Sequence, residues 1–211
     1  MSAAVLKDLA DNGVLTITLN RPEVLNSLDE SLTLGLVDAM HEAKTDSTVR
    51  AVVITSAGRA FCAGADLNAR SWPAVNGVSA GEATAANMER GFNPLVKAVA
   101  QSTKPVVTAI NGIAAGGGVG LALAGDIAIA AQSAKFKLVF GPNLGIIPDM
   151  GASWFLPNLV GRARANGLAL LGDNLPASDA KTRGLIWDCV PDEHLMPTPQ
   201  SLAARLADGP P

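Results

Sequence analysis

Hydrophobic residues recur along the chain at two spacings, and segments of the two kinds alternate. Short apolar or β-branched runs, which are typical of strands, occupy residues 14–19, 50–55, 105–110, 126–130, 136–140 and 186–190. Longer segments with apolar residues every three or four positions, which are typical of helices, occupy residues 28–44, 85–101, 119–124, 151–160, 162–171 and 177–184. This alternation predicts right-handed β-α-β crossovers and a parallel sheet, so we expect an α/β fold.

Two polar stretches interrupt this pattern. Residues 56–70 follow a buried strand and predict a loop, and residues 71–81 mix Ser, Gly, Pro, Asn and Val without periodicity. We expect the second stretch to be a mobile loop within one domain and not a linker between domains. The 211 residues are a suitable length for a single domain spanning residues 1–211.

The composition, 48% hydrophobic and 17% charged, is low in charge for a soluble monomer and favours a subunit with buried interfaces. A net charge of -3 gives no overall field that would attract nucleic acid or an anionic membrane. No apolar run approaches the roughly 20 residues that span a bilayer. Cys62 and Cys189 lie far apart and no signal-peptide pattern is present, so we expect a cytoplasmic protein without disulfides. The spacing of Cys and His predicts no metal site.

The glycine-rich segment around Gly117 is the strongest chemical signal in the sequence. Leu121 and Leu123 occupy the places where a dinucleotide fingerprint needs its third glycine, and neither a P-loop nor a G-x-S-x-G motif occurs. What remains is a strand, a turn without side chains and the start of a helix. That arrangement leaves unpaired backbone N–H groups pointing outward, which is the basis of an oxyanion hole.

Two segments of the sequence resemble the paired signatures of the enoyl-CoA hydratase/isomerase (crotonase) superfamily. They are FCAGADL at residues 61–67 and AINGIAAGGGVGLALAGD at residues 109–126, and the similarity extends over nearly the whole chain. The resemblance implies a spiral of β-β-α units followed by a helical C-terminal part, which we expect to be shortened by about two helices because the sequence stops at LADGPP. It also implies an acyl-CoA substrate, coenzyme A only as part of that thioester, no permanently bound cofactor, and a homotrimer or hexamer.

The resemblance also implies a set of site residues. The thioester oxygen would bind the backbone N–H groups of Ala65 and Gly117. The nucleotide arm of coenzyme A would pass Leu25 and the backbone of residues 63–67, which adds the contacts Ala63, Asp66 and Leu67. A glycine turn that only packs a helix on a strand is the alternative for Gly117.

The sequence departs from the hydratases of this superfamily at both of their catalytic glutamates, where it has Gly120 and Gly141. The remaining candidate is Asp149. Residues 133–173 look most similar to the branch that includes the ring-epoxide isomerase of phenylacetyl-CoA catabolism, in which an acid/base aspartate lies at this position. A single carboxylate suits isomerisation better than hydration, because one base can remove a proton from one carbon and return it to another.

Asp149 would need a raised pKa for this task, and we expect its apolar neighbours to raise it by desolvation. These neighbours are Ile146, Ile147, Met150 and Trp154. The alternative is that Asp149 caps the helix that follows, which would lower its pKa instead. Three other functions remain open: hydratase-type lyase chemistry, a hydrolase or dehalogenase with Asp149 as nucleophile, and a non-catalytic acyl-CoA binder.

Overall fold

The computed structural model describes residues 3–68 and 77–210. Within them the strands are β1 Val5–Leu9, β2 Val14–Leu19, β3 Ala51–Ser56, β4 Ala60–Cys62, β5 Val106–Ile110, β6 Ile113–Ala115, β7 Ile127–Ala131, β8 Lys135–Lys137, β9 Leu175–Pro176 and β10 Asp188–Val190. The α-helices are α1 Glu30–Thr45, α2 Ala80–Asn87, α3 Asn93–Ala100, α4 Gly117–Leu123, α5 Ala152–Leu171, α6 Ala177–Thr182 and α7 Pro197–Ala207.

The strands form two sheets, and three consecutive pairs of strands cross from the larger sheet to the smaller one in the same way. The six-stranded sheet has the order β1-β2-β3-β5-β7-β10, and the four-stranded sheet has the order β4-β6-β8-β9. The pairs β3/β4, β5/β6 and β7/β8 each place their first strand in the larger sheet and their second in the smaller one. Neighbouring units pair in parallel in both sheets. The result is the α/β spiral of β-β-α units that the resemblance implied.

The central strands of the larger sheet are buried along their whole length. Every residue of β3 and β5 is buried, which explains their nearly continuous apolar sequences. Helix α7 contacts β2, β3 and β5 and so covers this sheet. The sequence pattern did not predict α7 or the edge strand β1, whose residues are mostly exposed.

Several predicted boundaries were wrong for local reasons. The first helix begins at Glu30, because Asp29 caps it by accepting a hydrogen bond from the Leu32 N–H at 2.8 Å. The strand predicted at residues 136–140 is only β8, and a π-helical turn follows at Phe140–Leu144.

The predicted break between residues 160 and 162 is confirmed, since Gly161 inside α5 has non-helical angles (φ 76°, ψ 159°).

The helix predicted at residues 85–101 is α2 and α3, joined by a π-helical turn at Met88–Phe92. Its N-terminus lies earlier than predicted because Ser79 and Glu82 form a capping box. The loop predicted at residues 56–70 contains the short strand β4. Most of the mobile loop predicted at residues 71–81 lies outside the described residues.

Candidate active site

Two glycine turns meet at one edge of the four-stranded sheet. Strands β4 and β6 are parallel neighbours, so the turns that follow them leave the sheet side by side. Gly64 has a φ of +91°, and a Cβ placed on it would lie 2.8 Å from the Ala115 oxygen and 3.1 Å from the Gly117 nitrogen. Only a residue without a side chain permits this close approach. The structure therefore brings the predicted residues Ala65 and Gly117 into one site.

The backbone of Ala65 is fixed by a bridge to Leu28. The Leu28 N–H donates to the Gly64 oxygen at 2.8 Å, and the Asp66 N–H donates to the Leu28 oxygen at 3.0 Å. In a parallel bridge of this kind the N–H of the middle residue points away from the partner strand. Neither the Ala65 N–H nor the Gly117 N–H donates to any acceptor in residues 3–68 or 77–210. Both donors are therefore available to a ligand.

The carboxyl group of Asp149 lies beside the same turn. A Cβ placed on Gly117 would lie 3.3 Å from Asp149 Oδ1. This oxygen is buried and has no hydrogen-bond partner. Burial raises the pKa of Asp149 from its usual value of 3.8 to about 6, an effect that a hydrogen bond with its own backbone partly offsets. A carboxyl group with such a pKa can both donate and accept a proton near neutral pH.

The helix-cap alternative for Asp149 is wrong. Helix α5 is capped by Gly151, which has a φ of 75°, and no side chain accepts a hydrogen bond at this cap. Asp149 contributes only its backbone oxygen, which accepts from the Ala152 N–H at 2.8 Å. Oδ1 of its carboxyl group is thus unpartnered beside Gly117.

The expected cause of the raised pKa needs a correction. Ile147 is 79% exposed and Trp154 is 69% exposed, so these side chains cannot desolvate the carboxyl group of Asp149. Ile146 is also exposed. Of the four predicted neighbours only Met150 is buried, and Leu28, which the sequence did not single out, lies with it around the position of the Gly117 Cβ.

The two glycines at the hydratase glutamate positions are closely packed by backbone atoms. A Cβ on Gly120 would lie 2.2 Å from the Met150 oxygen, and a Cβ on Gly141 would lie 2.6 Å from the Ala169 oxygen. Met150 itself has a φ of 49°, which is uncommon for a residue with a side chain. The segment that carries Asp149 therefore occupies the space beside Gly120.

The remaining predicted contacts lie along the edge of the site. Leu25 has a left-handed conformation (φ 56°), and its oxygen accepts from the Ala63 N–H at 3.0 Å. Leu67 is 84% exposed. The Asp66 carboxylate pairs with Arg21 at 3.2 Å, a contact that the sequence did not indicate. Leu25 therefore lies beside residues 63–67, and the side chain of Leu67 is exposed.

The described residues contain no group of three or more His, Cys, Asp or Glu side chains that could hold a metal ion. No helix among them is long and apolar enough to cross a membrane. Both cysteines are free, with Cys62 buried and Cys189 partly exposed.

Within the described residues, two unpaired N–H donors and a buried carboxyl group thus lie together in a β-β-α spiral, and groups of these kinds can bind a negatively charged oxygen and transfer a proton. The chain belongs to the enoyl-CoA hydratase/isomerase family, whose model matches residues 10–211. Members of this family act on coenzyme A thioesters.

Relatives with both family names are similar to the chain. It is 48% identical over 200 residues to the 1,2-epoxyphenylacetyl-CoA isomerase of Escherichia coli K12, a match that covers 95% of the chain and 75% of the relative. The crystal structure of an enoyl-CoA hydratase from Bacillus anthracis is 36% identical with a TM-score of 0.88, covering 98% of the chain and 77% of that structure. A monofunctional enoyl-CoA isomerase from M. smegmatis is 32% identical with a TM-score of 0.81, covering 99% and 87%.

Proposed function

We propose that the protein is an acyl-CoA isomerase in which Asp149 is the single acid/base. The observation that carries this proposal is the buried, unpartnered Oδ1 of Asp149 beside Gly117. The N–H groups of Ala65 and Gly117 bind the thioester oxygen and stabilise the enolate that forms when a neighbouring carbon loses a proton. One such donor is worth about 2.7 to 4 kcal/mol in comparable sites.

Asp149 then moves the proton. In its carboxylate form it removes a proton from one carbon of the thioester, and in its acid form it returns a proton to another carbon of the delocalised enolate. The pKa of about 6 suits both steps, because neither protonation state is strongly disfavoured near neutral pH. Hydration by two carboxylates is not supported, since glycine stands at both position 120 and position 141.

The substrate class is an unsaturated or ring-bearing acyl-CoA thioester. The identity to an isomerase named for a ring epoxide supports the ring-bearing choice, and phenylacetate catabolism is the corresponding metabolic context. Coenzyme A is held only as part of the substrate, along the rim formed by Leu25, Ala63, Asp66 and Leu67. The free thiols support a cytoplasmic location.

The chain is also proposed to form a homotrimer or hexamer. Support comes from large apolar side chains that are more than half exposed, which mark interaction surfaces when they cluster. They include Leu144, Ile147, Trp154, Leu170, Leu171 and Trp187. Sedimentation velocity of the purified protein tests this assembly, and a monomer at all concentrations would refute it.

The function is tested with the substitution Asp149→Asn, which keeps the shape of the side chain but removes its acid/base chemistry. The wild type is expected to isomerise at least one member of a panel of unsaturated and ring-bearing acyl-CoA thioesters. The variant should bind the same thioester and turn it over at least about 10²-fold more slowly. Asp179→Asn, on the exposed surface of α6, is the matched control and should leave turnover unchanged.

The outcomes separate the competing functions. Undiminished turnover by Asp149→Asn would rule out the acid/base role. Transfer of ¹⁸O from labelled water into the Asp149 carboxyl group during turnover would identify a covalent nucleophile, which the unpartnered Oδ1 could also support. Hydrated products would indicate a lyase, and binding without any product would indicate a non-catalytic acyl-CoA binder.

A further inference from the structure

The guanidinium group of Arg21 contacts three residues in two segments, which are the residues next to Leu28 and the residue after Ala65. Its Nη1 donates to the Ser27 oxygen at 2.6 Å. Nη1 also pairs with Asp66 Oδ2 at 3.2 Å, and Nη2 pairs with Asp29 Oδ2 at 3.2 Å. The three charged side chains are only 13 to 18% exposed, so this contact differs from an ordinary surface ion pair.

The partners of Arg21 flank the bridge that fixes Ala65. Ser27 immediately precedes Leu28 on one side of the bridge, and Asp66 immediately follows Ala65 on the other. The guanidinium group therefore contacts residues next to both members of the bridge. Because the bridge determines where the Ala65 N–H points, the position of Arg21 is coupled to the direction of that donor.

The backbone of Arg21 is itself anchored. Its N–H donates to Asn26 Oδ1 at 2.8 Å. The side chain of Asn26 is fully buried, and its Nδ2 donates at 2.8 Å to the oxygens of Ala57 and Ala60, which lie before and at the start of β4. Asn26 therefore links the backbone of Arg21 to the segment that contains β4.

We infer that Arg21 is a positioning residue that sets the direction of the Ala65 N–H by clamping Ser27 and Asp66 across the Leu28–Ala65 bridge. This inference rests on the proposed use of that N–H in binding the thioester oxygen. Arginine suits the role because its planar fork can serve several partners at fixed angles, whereas the ammonium group of lysine is a point charge on a flexible stem.

The test measures polarisation of the bound thioester carbonyl as well as turnover. A chromophoric cinnamoyl-CoA thioester absorbs at longer wavelength when its carbonyl oxygen receives strong hydrogen bonds, so the red shift on binding reports on the two donors. Arg21→Gln should lose most of this red shift and about 10²-fold in kcat, the typical effect of misplacing a reacting group by about 1 Å. KM should change far less than kcat. Arg21→Lys should be intermediate in both measurements.

Arg183→Gln is the matched control, because Arg183 pairs with Asp179 at 3.9 Å on the exposed surface at the end of α6. It should retain the wild-type red shift and kcat. A folded Arg21→Gln protein with the wild-type red shift and kcat would overturn the inference while leaving the proposed function intact. Absence of a red shift in the wild type would instead overturn the proposed oxyanion hole, and the inference with it.

Folding is checked by circular dichroism and thermal unfolding. If Arg21→Gln does not fold, Arg21→Lys decides the question. A lysine variant with reduced red shift and kcat supports positioning, and one that equals the wild type, or that also fails to fold, overturns it in favour of a purely structural contact.

Discussion

The buried carboxyl group of Asp149 makes the stability of the folded protein depend on pH in a defined interval. In the unfolded chain the group titrates near its usual pKa of 3.8, and burial raises the pKa to about 6 in the folded protein. Folding therefore favours the protonated acid. The stability that this group contributes is complete below pH 3.8 and is lost as the pH rises through about 6.

The size of the effect follows from the same two pKa values. One pKa unit corresponds to about 1.4 kcal/mol, so the carboxylate form costs the folded protein at most about 3 kcal/mol above the interval. Asparagine resembles the neutral acid and carries no such cost. Relative to the wild type, Asp149→Asn should gain about 1.4 kcal/mol of stability for each pH unit within the interval and remain at a constant advantage above it.

Urea unfolding of both proteins at several pH values between about 4.5 and 7.5 measures this difference without any substrate. Asp188→Asn is a control of opposite sign. The hydrogen bond and charge of Lys181 hold the pKa of Asp188 below its usual value. Asp188 therefore contributes stability above its usual pKa, and its replacement should destabilise the protein at neutral pH.

A constant difference between wild type and Asp149→Asn over the whole range would refute the reasoning. It would mean that the carboxyl group titrates equally in the folded and unfolded chains, and so is not desolvated beside Gly117. The assignment of Asp149 as a proton carrier near neutral pH would then lose its physical basis.

Two further substitutions or modifications test the packing around the site. Gly120→Glu should not create a hydratase, because its Cβ would lie 2.2 Å from the Met150 oxygen; we expect a lower melting temperature, at least about tenfold slower turnover and no hydrated product. Cys62 is fully buried, and burial raises its pKa to about 12. Near pH 8 a thiol reagent should therefore modify only Cys189 in the native protein, and both cysteines after unfolding in urea. Two fast-reacting thiols in the native protein would contradict the burial of Cys62.

Where the fold depends on local sequence, it could be predicted. The run Val14–Leu19 is a strand with the predicted bounds, because its alternating apolar residues need only a sheet to pack against. The first helix was predicted to start at Leu28, which has the correct apolar spacing. The structure instead uses the backbone of Leu28 to hold Ala65, a long-range contact that periodicity cannot reveal.

The candidate site was predictable only in part for the same reason. The family resemblance indicated Gly117 and Asp149, and the structure places them together. Desolvation was correctly predicted to raise the pKa of Asp149. Of the neighbours named for it, Met150 is buried but Ile146, Ile147 and Trp154 are exposed. The sequence did not single out Arg21, because its partners lie up to 45 residues away in the chain.

The packing at Gly120 gives a physical reason for preferring one carboxylate to two. In this fold a catalytic side chain could come from α4, at position 120, or from the segment before α5, at Asp149. The backbone of Met150, held at a φ of 49°, fills the space that a side chain at position 120 would need. The two arrangements therefore exclude each other in this chain. A carboxylate at position 120 of this chain would thus require the backbone of Met150 to move, and this supports the proposed single-carboxylate isomerisation independently of the names of its relatives.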